Sequence, residues 1–515
     1  MASLKERLLD YYDLNEEGYA ALSAAPSFSS IPLFQEEGPV KAALQRIAQA
    51  LNQQEKILVY GDYDCDGVMS TSIMTRTLRK LGARVSSYLP SRYLDGYGLS
   101  LQNAKKLPEA GYKLVITVDN GVSAKEPLEY LKSQGIDVII IDHHEITGEL
   151  PPAVAVIHPT TLNYGPIPVS AGYLSFIFSV SLLKEKDDYL LSLGALSTLS
   201  DMMPLKGYNR TLVQLGLAAM NANHYPAISD FLEKSQIDEK VLALDFIPAI
   251  NAIGRLVEDT TINRLVPYFS EEDSVKRVPI AHWMKDINTR RKALTKQAES
   301  TLSIDPNAPA IVVVSSLPEG LNGLLANRLL NEYNKPVCVF SPCQSDPSLL
   351  VGSMRSQEGF NVMKALAGLD AYLVRSGGHA FAGGLSIKKS DLEAFSKELL
   401  FDALKFQINP PKNKRIPLEL DECTLENYRL IRTFGPFGME WKEPDFLLCD
   451  IASQSLTFTR DGHYLSTSLP GGVRLFSFKL SSAEVATSKS LNLLAHFALN
   501  EYKGRTSLDI LVEKA

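Results

Sequence analysis

Acidic and histidine residues recur in this chain in short clusters. Asp62, Asp64 and Asp66 alternate in GDYDCDG, Asp119 lies in VDNG, and Asp142, His143 and His144 lie in IDHHE. Asp201 follows in LSDMMP, and His379 stands among glycines in SGGHAFAGG. Side chains that alternate along an extended segment or tight loop point to one side. Carboxylates gathered in one concave site repel each other unless cations neutralise them. Oxygen ligands joined by imidazole suit a hard or borderline divalent ion, Mn²⁺ or Mg²⁺ before Zn²⁺. Two such ions about 3.5–4 Å apart, bridged by a carboxylate, are a device for phosphoester hydrolysis. A single DxD is more often a solvated loop or helix cap, and Asp-Asn-Gly alone is turn chemistry. The joint pattern is what points to a two-ion phosphoesterase centre.

The flanking segments explain how such clusters come together. Short apolar runs at 57–60, 113–118 and 137–141 break at GDYDCDG, DNG and DHHE, and a helical pattern follows the first. Strands alternating with helices predict a parallel sheet, with all three clusters at carboxyl strand ends, where open α/β sheets place ligands. Residues 171–220 read as helical with a break near Asp201, and 225–300 as mostly helical. The βα texture restarts at Ala310, with strands at 311–314 and 337–340 around a helix at 321–334. PPKNKR (410–415) reads as a linker, and 416–515 as short strands with polar turns, a small β-barrel. The expected domains are a helical lead-in (1–50), an α/β domain (51–224), a helical connector (225–304), a smaller α/β domain (305–405) and the barrel (416–515).

The 515 residues suit several domains, and 45% hydrophobic with 22% charged residues excludes a disordered chain or a collagen. A net charge of −7 excludes a uniformly basic nucleic-acid coat, but not a local basic track. Lys276, Arg277, Lys285, Arg290, Arg291, Lys292 and Lys296 form the best such track, with Arg432 and Arg505 weaker. Phe434, Phe437, Trp441 and Tyr502 are aromatics for base stacking or for the barrel core. Five scattered cysteines without a CxxC pair argue against a disulfide framework and for a reducing compartment. The charged N-terminus is no signal peptide, and the greasiest stretch, about 13 residues, falls short of the roughly 20 that span a membrane. A cytoplasmic protein without membrane contact is expected.

DYDCDG, VDNG, IDHHE and LSD resemble motifs of the DHH phosphoesterase superfamily, and SGGHAFAGG is similar to the GGH motif of its DHHA1 accessory domain. PSRYLDGYGLS, SDMMPL with Asn209-Arg210, INAIGRL, GSMRS, PFG and LNEYKG fall in the order seen in the RecJ single-stranded-DNA exonucleases, so the resemblance covers roughly 55–515. It implies a DHH domain, helical connector, DHHA1 domain and OB-fold. It also implies a metal-dependent enzyme, Mn²⁺ preferred over Mg²⁺ with two ions, that degrades single-stranded DNA from the 5′ end to 5′ mononucleotides. By the motifs, Asp64, Asp66, Asp119, His143 and Asp201 would be metal ligands, with Asp119 the bridge and Asp62 a further ligand or supporting acid. His144 and His379, the latter after Gly377 and Gly378, would contact the scissile phosphate. Arg92, Tyr97, Ser353 and Arg355 match positions that hold the incoming phosphate end, and Asn251 and Arg255 belong to the adjoining segment. A single-strand-binding protein or a helicase is an expected partner type, in repair or recombination.

The chain departs from the family where substrate is gripped. Ala249 replaces an arginine, Ile253 a small residue, Leu317-Pro318 a Trp-His pair, and His158 a typical asparagine; Glu440 replaces the final glycine of PFGxG, and Trp441-Lys442 the usual Asn-Pro. Two rival expectations follow: a DHH phosphodiesterase on short RNA or dinucleotides, against which the barrel argues, and a low-turnover DNA-binding homologue.

Overall fold

The computed structural model describes residues 2–257, 260–270, 274–405, 414–502 and 505–515. The chain divides into two compact units, one of residues 28–203 and 207–411, the other of 1–27, 204–206 and 412–515.

The larger unit holds two sheets. The first is wholly parallel: β1 (Lys56–Tyr60), β2 (Arg84–Tyr88), β3 (Tyr112–Val118), β4 (Asp137–Ile141) and β5 (Ala155–Ile157), in the order β2-β1-β3-β4-β5. Its central strands are continuous apolar runs because helices cover both faces. The chain winds one way to β2 and the other way to β4, so β1 and β3 flank the switch point, and open α/β sheets place their ligands beyond the carboxyl ends of such strands. Tyr60 pairs with Thr117 and Val118 with Ile141, and Asp119 N–H donates to Ile141 O at 3.0 Å. This register brings the three motif loops to one level of the sheet. Helices Cys65–Lys80, Ala171–Leu183 and Asp188–Ser200 pack together behind it, each almost wholly buried.

The second sheet orders β6 (Ile311–Val314), β7 (Val337–Pro342), β8 (Leu349–Arg355), β9 (Leu373–His379) and β10 (Ala382–Lys388) as β6-β7-β8-β10-β9, with only β6 and β7 parallel. The glycine-dense SGGHAFAGG is a hairpin: Gly378 pairs with Gly383 and Gly377 with Gly384. Helix Ser274–Thr301 carries the basic stretch. Arg277 is buried against Asp230 and Lys285 pairs with Glu233, whereas Arg290, Lys292 and Lys296 are exposed.

The smaller unit is a six-stranded sheet: β11 (Arg415–Leu418), β12 (Asp445–Ala452), β13 (Leu465–Ser468), β14 (Arg474–Ser477), β15 (Ser490–Tyr502) and β16 (Arg505–Lys514), ordered β11-β12-β15-β16-β14-β13. β15 and β16 are longer than the short strands expected. The expected lead-in, residues 1–50, divides between the units. Leu4, Leu8 and Leu9 of helix Leu4–Tyr11 join the core formed by Ile416, Phe434 and Phe446, whereas helix Gly38–Asn52 lies in the larger unit. Phe434 and Phe437 are buried, and Trp441 stacks on Tyr12 at 4.5 Å and donates Nε1–H to Phe434 O at 2.8 Å. These rings serve the core, the commoner fate of barrel aromatics. The side chains of Tyr502 and Arg505, and most of the 410–415 segment, lie outside the described residues. Among the described residues no helix is long and apolar enough to cross a membrane.

Candidate active site

The carboxylate clusters meet at the switch point of the parallel sheet. Asp64 caps helix Cys65–Lys80, its Oδ1 accepting from Gly67 N–H at 3.0 Å. A Cβ on Gly67 would stand 2.6 Å from Asp62 O, so only glycine lets the loop close over the helix start. Asp119 adopts φ 61°, a left-handed turn that aspartate tolerates, and Asn120 ties β3 to β1 by donating to Gly61 O at 3.0 Å and Val118 O at 2.9 Å. Asn251 Oδ1 accepts from Cys65 N–H at 2.8 Å, and a Cβ on Gly254 would reach Tyr63 O at 2.4 Å. The INAIGRL helix thus backs the DYDCDG loop, with the amide oxygen of Asn251 engaged there.

Three overlapping groups place their ligand atoms within 4.8 Å of one another: Asp62/Asp64/Asp119, Asp119/His143/His144 and Asp66/His143/Asp201. His143 Nε2 lies 3.3 Å from Asp119 Oδ1, 3.4 Å from Asp201 Oδ2 and 3.7 Å from Asp66 Oδ2. The shared Asp119 and His143 give this donor set the form of a two-ion site. Asp62 Oδ1 and Asp201 Oδ2 are buried and accept no hydrogen bond among the described residues, and a divalent cation would satisfy them. Burial and the neighbouring Asp64 push Asp62 up to about 8 and Asp66 up to about 7. Burial and Asp66 push Asp201 to about 8, and burial and the surrounding carboxylates raise Asp119 as well. So many acids raised together fit Mn²⁺ or Mg²⁺.

The adjacent imidazoles differ. Burial and the charge of His144 lower His143 to about 4, leaving it neutral and suited to ligation. Burial also disfavours charge on His144, but its hydrogen bond to Asp142 wins and raises it to about 9. Asp142 opens the DHH motif, and the resemblance assigns it no role. It is buried, receives Val122 N–H at 3.1 Å, and accepts at Oδ1 from His143 N–H (2.8 Å), His144 N–H (3.2 Å) and His144 Nδ1 (2.8 Å). His158 Nδ1 accepts from Thr160 N–H at 3.0 Å, so its proton sits on Nε2, which donates to His144 O at 2.9 Å.

A second set is basic. Arg92 lies over the Tyr63 ring at 4.5 Å. Arg255 donates to Gly320 O at 3.2 Å, and burial and the charge of Arg92, with a further contribution from Arg355, lower it to about 10. Arg355 Nη1 donates to Ser353 Oγ at 2.9 Å, and a Cβ on Gly323 would meet Arg355 Nη2 at 2.7 Å. Like-charged guanidiniums kept close repel one another, a repulsion that an anion would relieve. Tyr97 is half exposed, its hydroxyl 3.1 Å from His144 Nε2. Ala249 is fully buried. His379 ends β9, exposed with Gly377 and Gly378, and among the described residues makes no hydrogen bond to the acid cluster. Leu317 is buried against the core of the second sheet.

Three family models match in order: the DHH family N-terminal domain over 56–192, the DHHA1 domain over 307–402 and the RecJ OB domain over 416–514. The chain is 32% identical over 429 residues to the single-stranded-DNA-specific exonuclease RecJ of Bacillus subtilis, covering 79% of this chain and 54% of that protein. It thus spans about half the length of that relative. Against the Escherichia coli RecJ it is 29% identical over 530 residues, 93% of this chain and 90% of the relative. RecJ in complex with Mn²⁺ from Thermus thermophilus shares the fold, with TM-score 0.81 and 24% identity over 99% of this chain and 78% of that one. An exonuclease RecJ bound to manganese matches with TM-score 0.64 and 27% identity, covering 74% of this chain and 97% of that one. The chain thus carries a DHH domain, a DHHA1 domain and a RecJ OB domain in that order, and along most of its length it is similar to the RecJ exonucleases.

Proposed function

We propose that this chain is a 5′-to-3′ exonuclease that hydrolyses single-stranded DNA to 5′ mononucleotides in DNA repair and recombination. The observation that carries the reading is the set of three ligand groups joined through Asp119 and His143. Asp64, Asp66, Asp119, His143 and Asp201 would hold two Mn²⁺ or Mg²⁺ ions, with Asp62 beside them. Such ions, when bound, neutralise the carboxylates, activate water and polarise phosphoryl oxygens. His144, kept cationic by Asp142, offers Nε2–H to a phosphoryl oxygen, and His379 approaches the same phosphate from the second sheet. Arg92, Arg355 and Ser353, backed by Arg255, hold the terminal phosphate, and Tyr97 orients it. Positioning and charge neutralisation do most of the work in such a transfer.

The family name of the relatives supports the substrate, and the 5′ polarity rests on that resemblance. The RecJ OB domain supports a long strand over a dinucleotide. Arg290, Lys292 and Lys296 offer phosphate contacts along it. A single-strand-binding protein or helicase would deliver the strand, in the cytoplasm. The test is 5′-labelled single-stranded DNA about 30 nucleotides long with Mn²⁺, Mg²⁺ or chelator, beside Asp119→Ala. Early release of labelled mononucleotide, only with metal and only by the unmutated chain, is expected. Cleavage of dinucleotides alone would favour the short-substrate phosphodiesterase, and binding without cleavage a low-turnover homologue.

A further inference from the structure

We propose that Ser197, braced by Ser170, is a positioning residue that decides which oxygen of Asp66 faces the metal-binding group. The proposal rests on the reading of Asp66 as a metal ligand. Asp66 is buried and its two oxygens are used differently. Oδ1 accepts from Gly172 N–H at 2.9 Å and lies 2.5 Å from Ser197 Oγ. Oδ2 accepts from Ala171 N–H at 3.0 Å and is the oxygen 3.7 Å from His143 Nε2. Oδ1 is therefore tied back into the protein while Oδ2 is turned toward His143.

The direction of each proton follows from the partners. Tyr173 N–H can only donate, so Ser170 Oγ accepts it, at 3.2 Å. The Ser170 proton then goes to Ser197 Oγ, 2.5 Å away. The Ser197 proton goes to Asp66 Oδ1, because a carboxylate that ligates a metal ion is ionised and only accepts. Reversing the chain would set two lone pairs against each other across a short, fully buried contact. Both hydroxyls are wholly buried, so water cannot replace either. The arrangement needs close approach: a Cβ on Gly172 would stand 2.4 Å from both Cβ and Oγ of Ser197.

Ser197 also sits one turn before another acid of the same group. Asp201 caps the end of helix Asp188–Ser200, and its N–H donates to Ser197 O at 3.0 Å. One helix turn therefore holds Asp66 through a side chain and Asp201 through the backbone. Groups that orient ligands typically change metal affinity by about 10- to 100-fold when removed.

The test uses the full chain with Ser197→Ala, Ser170→Ala and the double variant. Mn²⁺ affinity is read by electron paramagnetic resonance without DNA, folding by circular dichroism melting, and kcat and KM on labelled single-stranded DNA. Ser197→Ala is expected to weaken Mn²⁺ binding about 10-fold or more and to lower kcat while KM for DNA stays the same. Ser170→Ala should act in the same direction more weakly, and the double variant should be no worse than Ser197→Ala. Unchanged Mn²⁺ affinity in folded Ser197→Ala overturns the proposal, as do additive losses in the double variant. If Ser197→Ala does not fold, Ser170→Ala decides, unchanged Mn²⁺ affinity again overturning it. A wild-type chain that binds Mn²⁺ but cuts no DNA would refute the exonuclease reading and leave the metal-binding series intact.

Discussion

Asp142 Oδ1 receives His144 Nδ1 at 2.8 Å, and this one contact gives two adjacent histidines opposite characters. His144 is raised to about 9 while His143 falls to about 4. Burial favours a neutral Asp142, yet the bond and charge of His144 and the amides of Val122 and His144 outweigh it and hold the carboxyl down to about 2. His143→Ala should therefore weaken Mn²⁺ binding, whereas His144→Ala should leave it within a few-fold and lower kcat by about 10²- to 10⁴-fold. Asp142→Asn should lower kcat and shift the alkaline limb of the rate profile to lower pH. Equal loss of Mn²⁺ binding in both histidine variants would refute the division of roles.

The crowded carboxylates predict a pH-dependent need for metal. Asp62, Asp66 and Asp201 are raised to about 8, 7 and 8, above their unfolded values near 4. The native state then binds more protons than the unfolded state, so metal-free stability falls as pH rises from about 4 to 8. The raised His144 acts in the same direction: its contribution is whole below about 6.5 and is lost through about 9. The depressed Asp142 contributes above about 4 and loses that contribution as pH falls through about 2. Melting in chelator should thus be lower at pH 8 than at pH 5, and saturating Mn²⁺ should raise Tm more at pH 8. An equal or larger metal shift at pH 5 would contradict the geometry.

Arg355, braced on Ser353, should distinguish a phosphorylated 5′ end from a hydroxyl. A charge-assisted hydrogen bond is worth about 1.5–3 kcal/mol, or roughly 10- to 150-fold. Arg355→Ala should raise KM for 5′-phosphorylated strands by about that factor and leave 5′-hydroxyl strands nearly unchanged. Competition between the two substrates measures it directly, and equal loss on both would remove Arg355 from the phosphate end.

His158 joins Thr160 N–H to the His144 carbonyl, one acceptor and one donor on a rigid ring. An asparagine offers the same pair of groups, Oδ1 and Nδ2. His158→Asn should retain most activity, whereas His158→Leu, which supplies neither, should lower kcat at least about 10-fold at a temperature where circular dichroism shows it folded. Full activity in His158→Leu would mean that the clamp does not matter.

The acids of DYDCDG, VDNG, IDHHE and LSD could be read along the chain because each follows an apolar run or a helix, and such runs break where an element ends in a polar loop. The parallel sheet was legible for the same reason, since buried strands are continuous in Ile, Val and Leu. Helix Leu4–Tyr11 was visible in its spacing, but not its place against the core with Phe434, because amphipathic spacing names a buried face and never its partner. Phe434 and Trp441 looked alike as stacking rings or core until neighbours were assigned. Asp142 stands out in IDHHE and His158 as a departure, while Ser197 carries no signal, but what each does rests on bonds that join positions 2 to 131 residues apart. Local sequence specifies backbone preference and burial, whereas the direction of a buried proton depends on which donors tertiary packing brings within 3 Å.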